Sequence, residues 1–428
     1  MKRSAASSKC LFNLVRTGKS RLIRIRGAHV RKPLVRTITV LTAAGLLLTA
    51  CSSSSSKSAA NSKAPVVIGV NTSVTGSLAS VIYPWTTTYR AYINYANAHG
   101  GINGRKIQLD VLDNAGPVAT AASNAIKLAT VDHVVAMLGP EITSTCSAAI
   151  PTADRYQVPL ICGFVAPTNL SPVEKYVYNM WQPEEQSIAG QVVETKKLLG
   201  NTPVRLALVD QNLGGPQQWA AQAASVAKAN HWSVVASVET GIVSVSANAL
   251  AATLAAAKPN IVWFDPSPVT EQPLYNAMKA DGLNPPIIVI GNADYSLTAQ
   301  IADPKMYVQT AASFVLPSTA GSGAALFRKY MAKEGITSVG ALNGPISNEA
   351  AWLGAQDLVA ALRSCDACTG NALVKALDTT VVSSPGISSG YGFTASSHIP
   401  FKSYYLYQWD AATGLMRLVK SDLPAGPN

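Results

Sequence analysis

The chain has 428 residues, enough for two domains with cores of ordinary size, and a formal net charge of +11. Residues 1–50 hold 11 Lys and Arg and no Asp or Glu, which leaves 34 − 11 = 23 basic residues against 23 acidic ones downstream. A nucleic-acid partner, which needs a concentrated basic face on the folded part, is therefore excluded as the meaning of the charge.

The first 50 residues run from a basic stretch to an uncharged apolar one, Ile38 to Leu48, and then to small residues. That order predicts a secretory signal peptide over 1–50. The apolar run has 11 residues, short of the about 20 that span a bilayer. Leu48-Thr49-Ala50-Cys51 follows at once and has the form of a bacterial lipobox, so Cys51 is the expected lipidation site and new N-terminus. An ordinary signal peptide with a chance cysteine is the alternative. Residues 51–63 are Ser-rich and of low complexity, as expected of a flexible tether. The expected location is extracytoplasmic, at the outer face of the cell membrane, with a lipid anchor.

From Ala64 onward, short apolar runs alternate with Ala-rich helical patterns. Strands are predicted over 65–70, 106–112, 133–139 and 158–163, with helices over 80–98, 118–130 and 144–156 between and after them. An aromatic bridge, 176–183, follows. The alternation then resumes, with strands over 204–210, 232–238, 260–264 and 286–290 and helices over 184–199, 216–230, 246–257 and 269–280. The strands are rich in Val and Ile without strict alternation, the pattern of strands buried on both faces. Two rounds of β-α-β-α predict an α/β fold of two doubly wound lobes with mostly parallel sheets and a cleft between them. Beyond about 315 the pattern is mainly helical (322–334, 344–362, 370–378). The closing GYGFT and SYYLYQWD read as strands that cross back between the lobes.

Cys146, Cys162, Cys365 and Cys368 lie beyond the leader and Cys51. A parallel sheet can bring the start of the 144–156 helix close to the end of the next strand, so a Cys146–Cys162 disulfide is compatible with the fold. Cys365-Asp-Ala-Cys368 is a lone CxxC, read as a local disulfide or as two free thiols near a helix end. A zinc site would need a second ligand pair, and His398 is the only histidine after His231. No metal or cofactor is expected. A thiol enzyme built on Cys146 at a helix N-terminus was the catalytic reading to weigh. No histidine falls at a strand-end turn to serve as its base, and no Walker loop, HExxH or GxSxG occurs.

Ligands of open parallel sheets bind beyond the carboxyl ends of the strands, where helix N-termini present free N–H groups. Residues at those turns are the site candidates. In the first lobe they are Thr143 and Ser144 in GPEITSTC, Thr75 and Ser77 after the first strand, and Phe164, Val165 and Ala166 after the fourth. In the second they are Asp210, Ser267, Asn292 and Asp294. Helix capping alone is the competing reading of the Thr143 stretch. Tyr83, Trp85, Trp181 and Trp219 are further aromatic candidates, each equally compatible with core packing.

The segments VVIGVNTSVTGSLA, INYANAHGGINGRKIQLDVLDN, ASNAIKLATVDHVVAMLGP and VPLICG make the chain resemble the substrate-binding proteins of ABC importers in the branched-chain amino acid (Leu/Ile/Val-binding) family. The likeness extends over nearly all of 64–410, and GGINGRKI is its most specific part. It implies a type I periplasmic binding-protein fold with lobes of 64–182 plus 316–380 and 183–315 plus 381–420. It also implies a small-molecule ligand held between the lobes and delivered to ABC permease subunits, with the protein itself a monomer. A lobe pair that presents its ligand to a membrane receptor is the alternative. By the resemblance, Thr143 matches the hydroxyl that holds a ligand carboxylate. The second such position falls on Ala166, with Thr168 near. The ammonium-binding carboxylate falls on Ala293, beside Asp294, and the covering aromatics fall on Val81, Leu213 and Pro268. The implied ligand is therefore a small polar or carboxylate-bearing solute: amino acid-like, an amide or an aromatic acid.

Overall fold

The computed structural model describes residues 64–426 apart from 242–245 and 291–294. The signal peptide, Cys51, the tether and the candidates Asn292 and Asp294 lie outside the described residues. The first round of elements is β1 (Val66–Thr72), α1 (Ala79–Ala98), β2 (Ile107–Asp113), α2 (Val118–Thr130), β3 (Met137–Leu138), α3 (Thr143–Tyr156), β4 (Leu160–Cys162) and β5 (Val177–Asn179). Its five strands are all parallel, in the order β2-β1-β3-β4-β5.

The second round is α4 (Ile188–Leu199), β6 (Arg205–Gln211), α5 (Gly214–Ala229), β7 (Ser233–Thr240), α6 (Ala247–Ala257), β8 (Ile261–Phe264), α7 (Pro268–Ala280), β9 (Ile287–Val289), α8 (Tyr295–Ile301) and β10 (Met306–Thr310). The remaining elements are α9 (Ser322–Lys333), α10 (Val339–Asn343), α11 (Asn348–Ser364), α12 (Gly370–Leu377), β11 (Val381–Ser384), β12 (Ser388–Gly392), β13 (Ser403–Asp410) and β14 (Leu415–Pro424). The second sheet reads β14-β13-β10-β9-β8-β6-β7. It is parallel from β7 to β10, and β13 and β14 add on antiparallel.

Reading outward from the first strand, both parallel portions are wound alike. In each, the second strand lies on one side of the first and the third, fourth and fifth lie on the other. The order therefore reverses between β1 and β3 in one lobe and between β6 and β8 in the other, which leaves a crevice at the carboxyl edge of each sheet. The central parallel strands are buried on both faces, as β6, β8 and β9 show, whereas the edge strands β2 and β7 are partly exposed.

Helices α9, α11 and α12 return to the first lobe. Trp352 of α11 is fully buried there and meets Tyr92 edge-on at 4.9 Å and Phe327 at 5.3 Å. The hairpin β11–β12 adds Val382, Ile387 and Tyr391 to the same core.

Several elements differ from expectation. The aromatic bridge contains β5, and β10, β11 and β14 were not anticipated. A three-residue strand such as β5 is too short for a periodic signal. The expected strand over 133–139 pairs only at Met137 and Leu138, because the backbone turns left-handed at His133 (φ 48°) and Gly139 (φ 73°). The helix expected over 344–362 begins at Asn348, after Gly344 (φ 68°) and Pro345 end α10. Cys146–Cys162 and Cys365–Cys368 are both disulfides, with Cα atoms 6.0 and 5.4 Å apart.

Replacing Trp352 with Ala removes the ring that joins α1, α9 and α11. The expected cost is about 3–5 kcal/mol, as for other buried aromatic truncations. Urea denaturation would check it, and a loss below about 1 kcal/mol would show that the core closes over the gap.

Candidate functional site

The two crevices open onto one cavity. From the first lobe it is lined by Leu78, Val81 and Ile82 after β1, Ile142 and Thr143 after β3, and Phe164 after β4. From the second it is lined by Gln211, Leu213 and Pro216 after β6, and Ser267 and Val269 after β8. Glu184, on the connection between lobes, and Ile346 complete the wall. The cavity volume is ≈ 50 Å³, room for a few water molecules at the about 10–15 Å³ that each needs on this measure. A hollow of ≈ 500 Å³ between α1 and α10, which takes in Tyr83, is larger but does not face a switch point.

Four helices begin at this cavity. Leu78, Ile142, Leu213 and Ser267 stand at the N-cap positions of α1, α3, α5 and α7, and none caps its helix with a side-chain hydrogen bond. In α3 the first turn closes with Cys146 N–H donating to Ile142 O at 2.9 Å, so the N–H groups of residues 143–145 precede the helical ladder. Such ends carry partial positive charge and suit an anionic or carbonyl group. The rest of the wall is largely apolar.

The supports are specific. Phe164 stacks on Trp85 at 6.4 Å, and the Trp85 indole N–H donates to Ile346 O, so one buried ring steadies two lining residues. Gln211 Nε2 donates to Asp265 Oδ1 at 3.2 Å beneath the second wall. Ser267 Oγ donates to Gly241 O at 3.1 Å and lies 2.7 Å from Thr270 Oγ1, which fixes the start of α7.

Glu184 is the one ionisable side chain among the described lining residues, and it is buried. Desolvation, reinforced by neighbouring Glu185, holds its carboxyl well above the ordinary range. Gly215 makes room for it: a Cβ there would stand 2.8 Å from Glu184 Oε2.

Of the residues singled out in the sequence, Thr143, Phe164 and Ser267 line the cavity together, as do Val81 and Leu213 from the positions matched to covering aromatics. Thr75 does not; its hydroxyl donates to Asp113 Oδ2 at 2.6 Å on the exposed loop. Ser77 and Ser144 are exposed and outside the lining. Val165 is buried in the core beneath α3, and its N–H donates to Asn179 Oδ1 at 3.0 Å. Ala166 is half-buried outside the lining, and its carbonyl accepts from Asn169 N–H. Asp210 is buried beside Gln211. Successive strand residues face opposite ways, and Gln211 is the one that reaches the cavity. Burial and Glu239 push the Asp210 carboxyl up to about 6. Trp85, Trp181 and Trp219 are core residues.

Sequence reasoning missed Leu78, Ile82, Ile142, Pro216, Val269 and Ile346, because an apolar lining residue has the same composition as a core residue. Glu184 had a usable signal, a Glu-Glu pair directly after Pro183 at the passage between lobes. Cys146 is bridged, so the thiol-enzyme reading falls. Among the described residues no group of His, Cys, Asp and Glu could hold a metal ion, and no helix is long and apolar enough to cross a membrane.

The sequence signature of a family described as periplasmic binding protein matches residues 65–414. Solved structures share the fold. The branched-chain amino acid transporter substrate-binding protein LivJ from Streptococcus pneumoniae, in complex with isoleucine, is 18% identical. It aligns with a TM-score of 0.65 over 85% of this chain and 100% of its own. An ABC transporter solute-binding protein from R. palustris, in complex with benzoate, gives 0.70 at 15% identity, over 85% and 98%. A substrate-binding protein of an ABC transporter from Aeropyrum pernix gives 0.73 at 15%, over 85% and 96%.

Burial has a consequence for pH. Desolvation pushes the carboxyls of Glu141 and Glu349 up to about 8, from 4.5 in an exposed chain. Between those values the folded state binds more protons than the unfolded one, so stability falls as pH rises. The slope is at most about 1.4 kcal/mol per pH unit for each group. The thermal midpoint should be lower at about pH 8 than at about pH 5, and Glu349→Gln should lessen the difference. A midpoint equal or higher at the alkaline end would refute the assignment.

Proposed function

The chain belongs to the periplasmic binding protein family, and on that premise we propose that it captures a small solute between its two lobes and delivers it to an ABC importer. The observation that carries this reading is the shared cavity at the carboxyl-edge switch points of both sheets. The solute has an apolar or aromatic body, matched by Phe164, Leu213 and the aliphatic wall, and a carboxylate or amide head. Thr143 and the first turn of α3 receive the head, through a hydroxyl and the N–H groups ahead of the helical ladder. The isoleucine and benzoate of the solved relatives both pair an apolar body with a carboxylate. Asn292 and Asp294 are proposed to add polar contacts from the second lobe.

The first lobe is taken as 64–182 with 316–380 and the hairpin β11–β12, which moves from the expected second lobe because it packs into the first lobe's core, and the second as 183–315 with β13 and β14. The lobes part to admit the solute and close on it afterwards, a hinge motion driven by contacts that exist only in the closed state. The protein works as a monomer outside the cytoplasm. Its diacylated Cys51 holds it at the membrane, and the Ser-rich tether lets it reach the permease.

A thermal-shift screen of amino acids, amides and aromatic acids tests the main reading, since a solute that binds only the folded state raises the unfolding midpoint. With the solute identified, Thr143→Val should weaken binding about ten- to a hundredfold, the scale of one hydrogen bond to a charged group, with little change in stability. Calorimetry showing equal affinity would remove Thr143 from the site. Cys51→Ala should move the protein from the membrane fraction to the soluble one in an expressing cell, and continued membrane retention would count against the anchor.

A further inference from the structure

We propose that the Cys146–Cys162 disulfide is a positioning element of the solute site, setting the first turn of α3 against the Phe164 turn before any solute arrives. The proposal rests on the reading of the cavity as the site. Cys146 comes three residues after Thr143, and Cys162 comes two residues before Phe164. Both cysteines are fully buried beneath the first lobe's half of the cavity.

The sheet alone holds these two segments weakly. Strands β3 and β4 pair at only two positions, Met137 with Leu160 and Leu138 with Ile161, whereas β1 and β2 pair at seven. The lining residues lie beyond the end of that short ladder, on turns the sheet does not fix. Three backbone bonds continue the contact: Gly139 N–H to Ile161 O at 2.9 Å, Gly163 N–H to Pro140 O at 3.2 Å and Phe164 N–H to Glu141 O at 2.9 Å. The turns touch backbone to backbone at Gly163, where a Cβ would come within 2.6 Å of Glu141 O and 2.8 Å of the Trp85 ring. The disulfide joins the same two segments from below. Thr143 and Phe164, which would meet the head and the body of a solute, thus share one covalently closed frame. The second disulfide, Cys365–Cys368, closes a turn after α11, and neither of its cysteines lines the cavity.

Amide hydrogen exchange of the whole, oxidised chain tests this without a solute. In C146A/C162A the hydrogen-bonded amides of residue 146 and of 163–165 should exchange about tenfold faster or more, while those of β1 and α11 keep their parent rates. C365A/C368A should leave the amides of 146 and 163–165 unchanged. Unchanged rates at both turns in C146A/C162A would overturn the proposal. So would acceleration spread evenly over β1, α2 and α11, because the bond would then be a general stabiliser. C146V/C162A refills part of the lost volume and serves as a second variant. If neither variant folds, the bond is a requirement of the fold and the positioning role fails. An unchanged solute affinity in Thr143→Val would instead fail the site reading, and the exchange result would still report on the bond.

Discussion

A parallel strand cannot be followed by a tight turn; the chain must cross over the sheet before laying down the next strand. When successive crossovers leave the first strand on opposite sides, the two helices splay apart at the carboxyl edge and a crevice opens between their N-termini. Both lobes carry that reversal, at β1/β3 and at β6/β8. The cavity follows from it. Its lining comes mostly from the turns after those four strands, and the helix starts that meet there are those of α1, α3, α5 and α7. The antiparallel pair β13–β14 extends the second sheet at its far edge and leaves this arrangement untouched.

The charge of the site follows from the backbone more than from side chains. No Lys, Arg or His is among the described lining residues, and the only carboxyl among them is desolvated Glu184. A buried side-chain cation would have to be paired with an anion when no solute is present. Uncapped helix ends carry only partial charge and lose less when they are dry. They suit a cleft that must be stable both empty and filled. The same economy extends to the core, where Glu141 and Glu349 hold their protons to about 8 and so avoid a buried charge.

How much of this was legible in the sequence depends on the signal each feature leaves. The two rounds of Val- and Ile-rich runs separated by helical stretches are long-range patterns, and they led to the two-lobed parallel architecture. Thr143, Phe164 and Ser267 were legible because each lies at the turn that follows a buried strand. Thr75 shows the limit of that rule: it has the same chemistry and a similar place, but Asp113 draws its hydroxyl outward. Asp210 and Gln211 show a second limit, because one residue of register decides which side chain faces the cavity. The aliphatic lining leaves no mark of its own, since Leu78 or Ile346 differs from a core residue only in facing space in place of a neighbour.

The two halves of the cavity are held by different means, and this bears on how the cleft discriminates between solutes. In the first lobe, Thr143 and Phe164 sit on turns joined by three backbone bonds, a disulfide and the Trp85 ring. In the second, among the described residues, Gln211 is held by a side-chain bond to Asp265, and Ser267 by side-chain bonds to Gly241 and Thr270. A pre-set surface loses little entropy on binding and rewards one shape of head group. A surface held by fewer bonds can shift to follow a varied body. On the proposed reading, the first lobe is the pre-set half, with Thr143 for the solute's head and Phe164 for part of its body, and the second lobe is the half that adjusts to the rest.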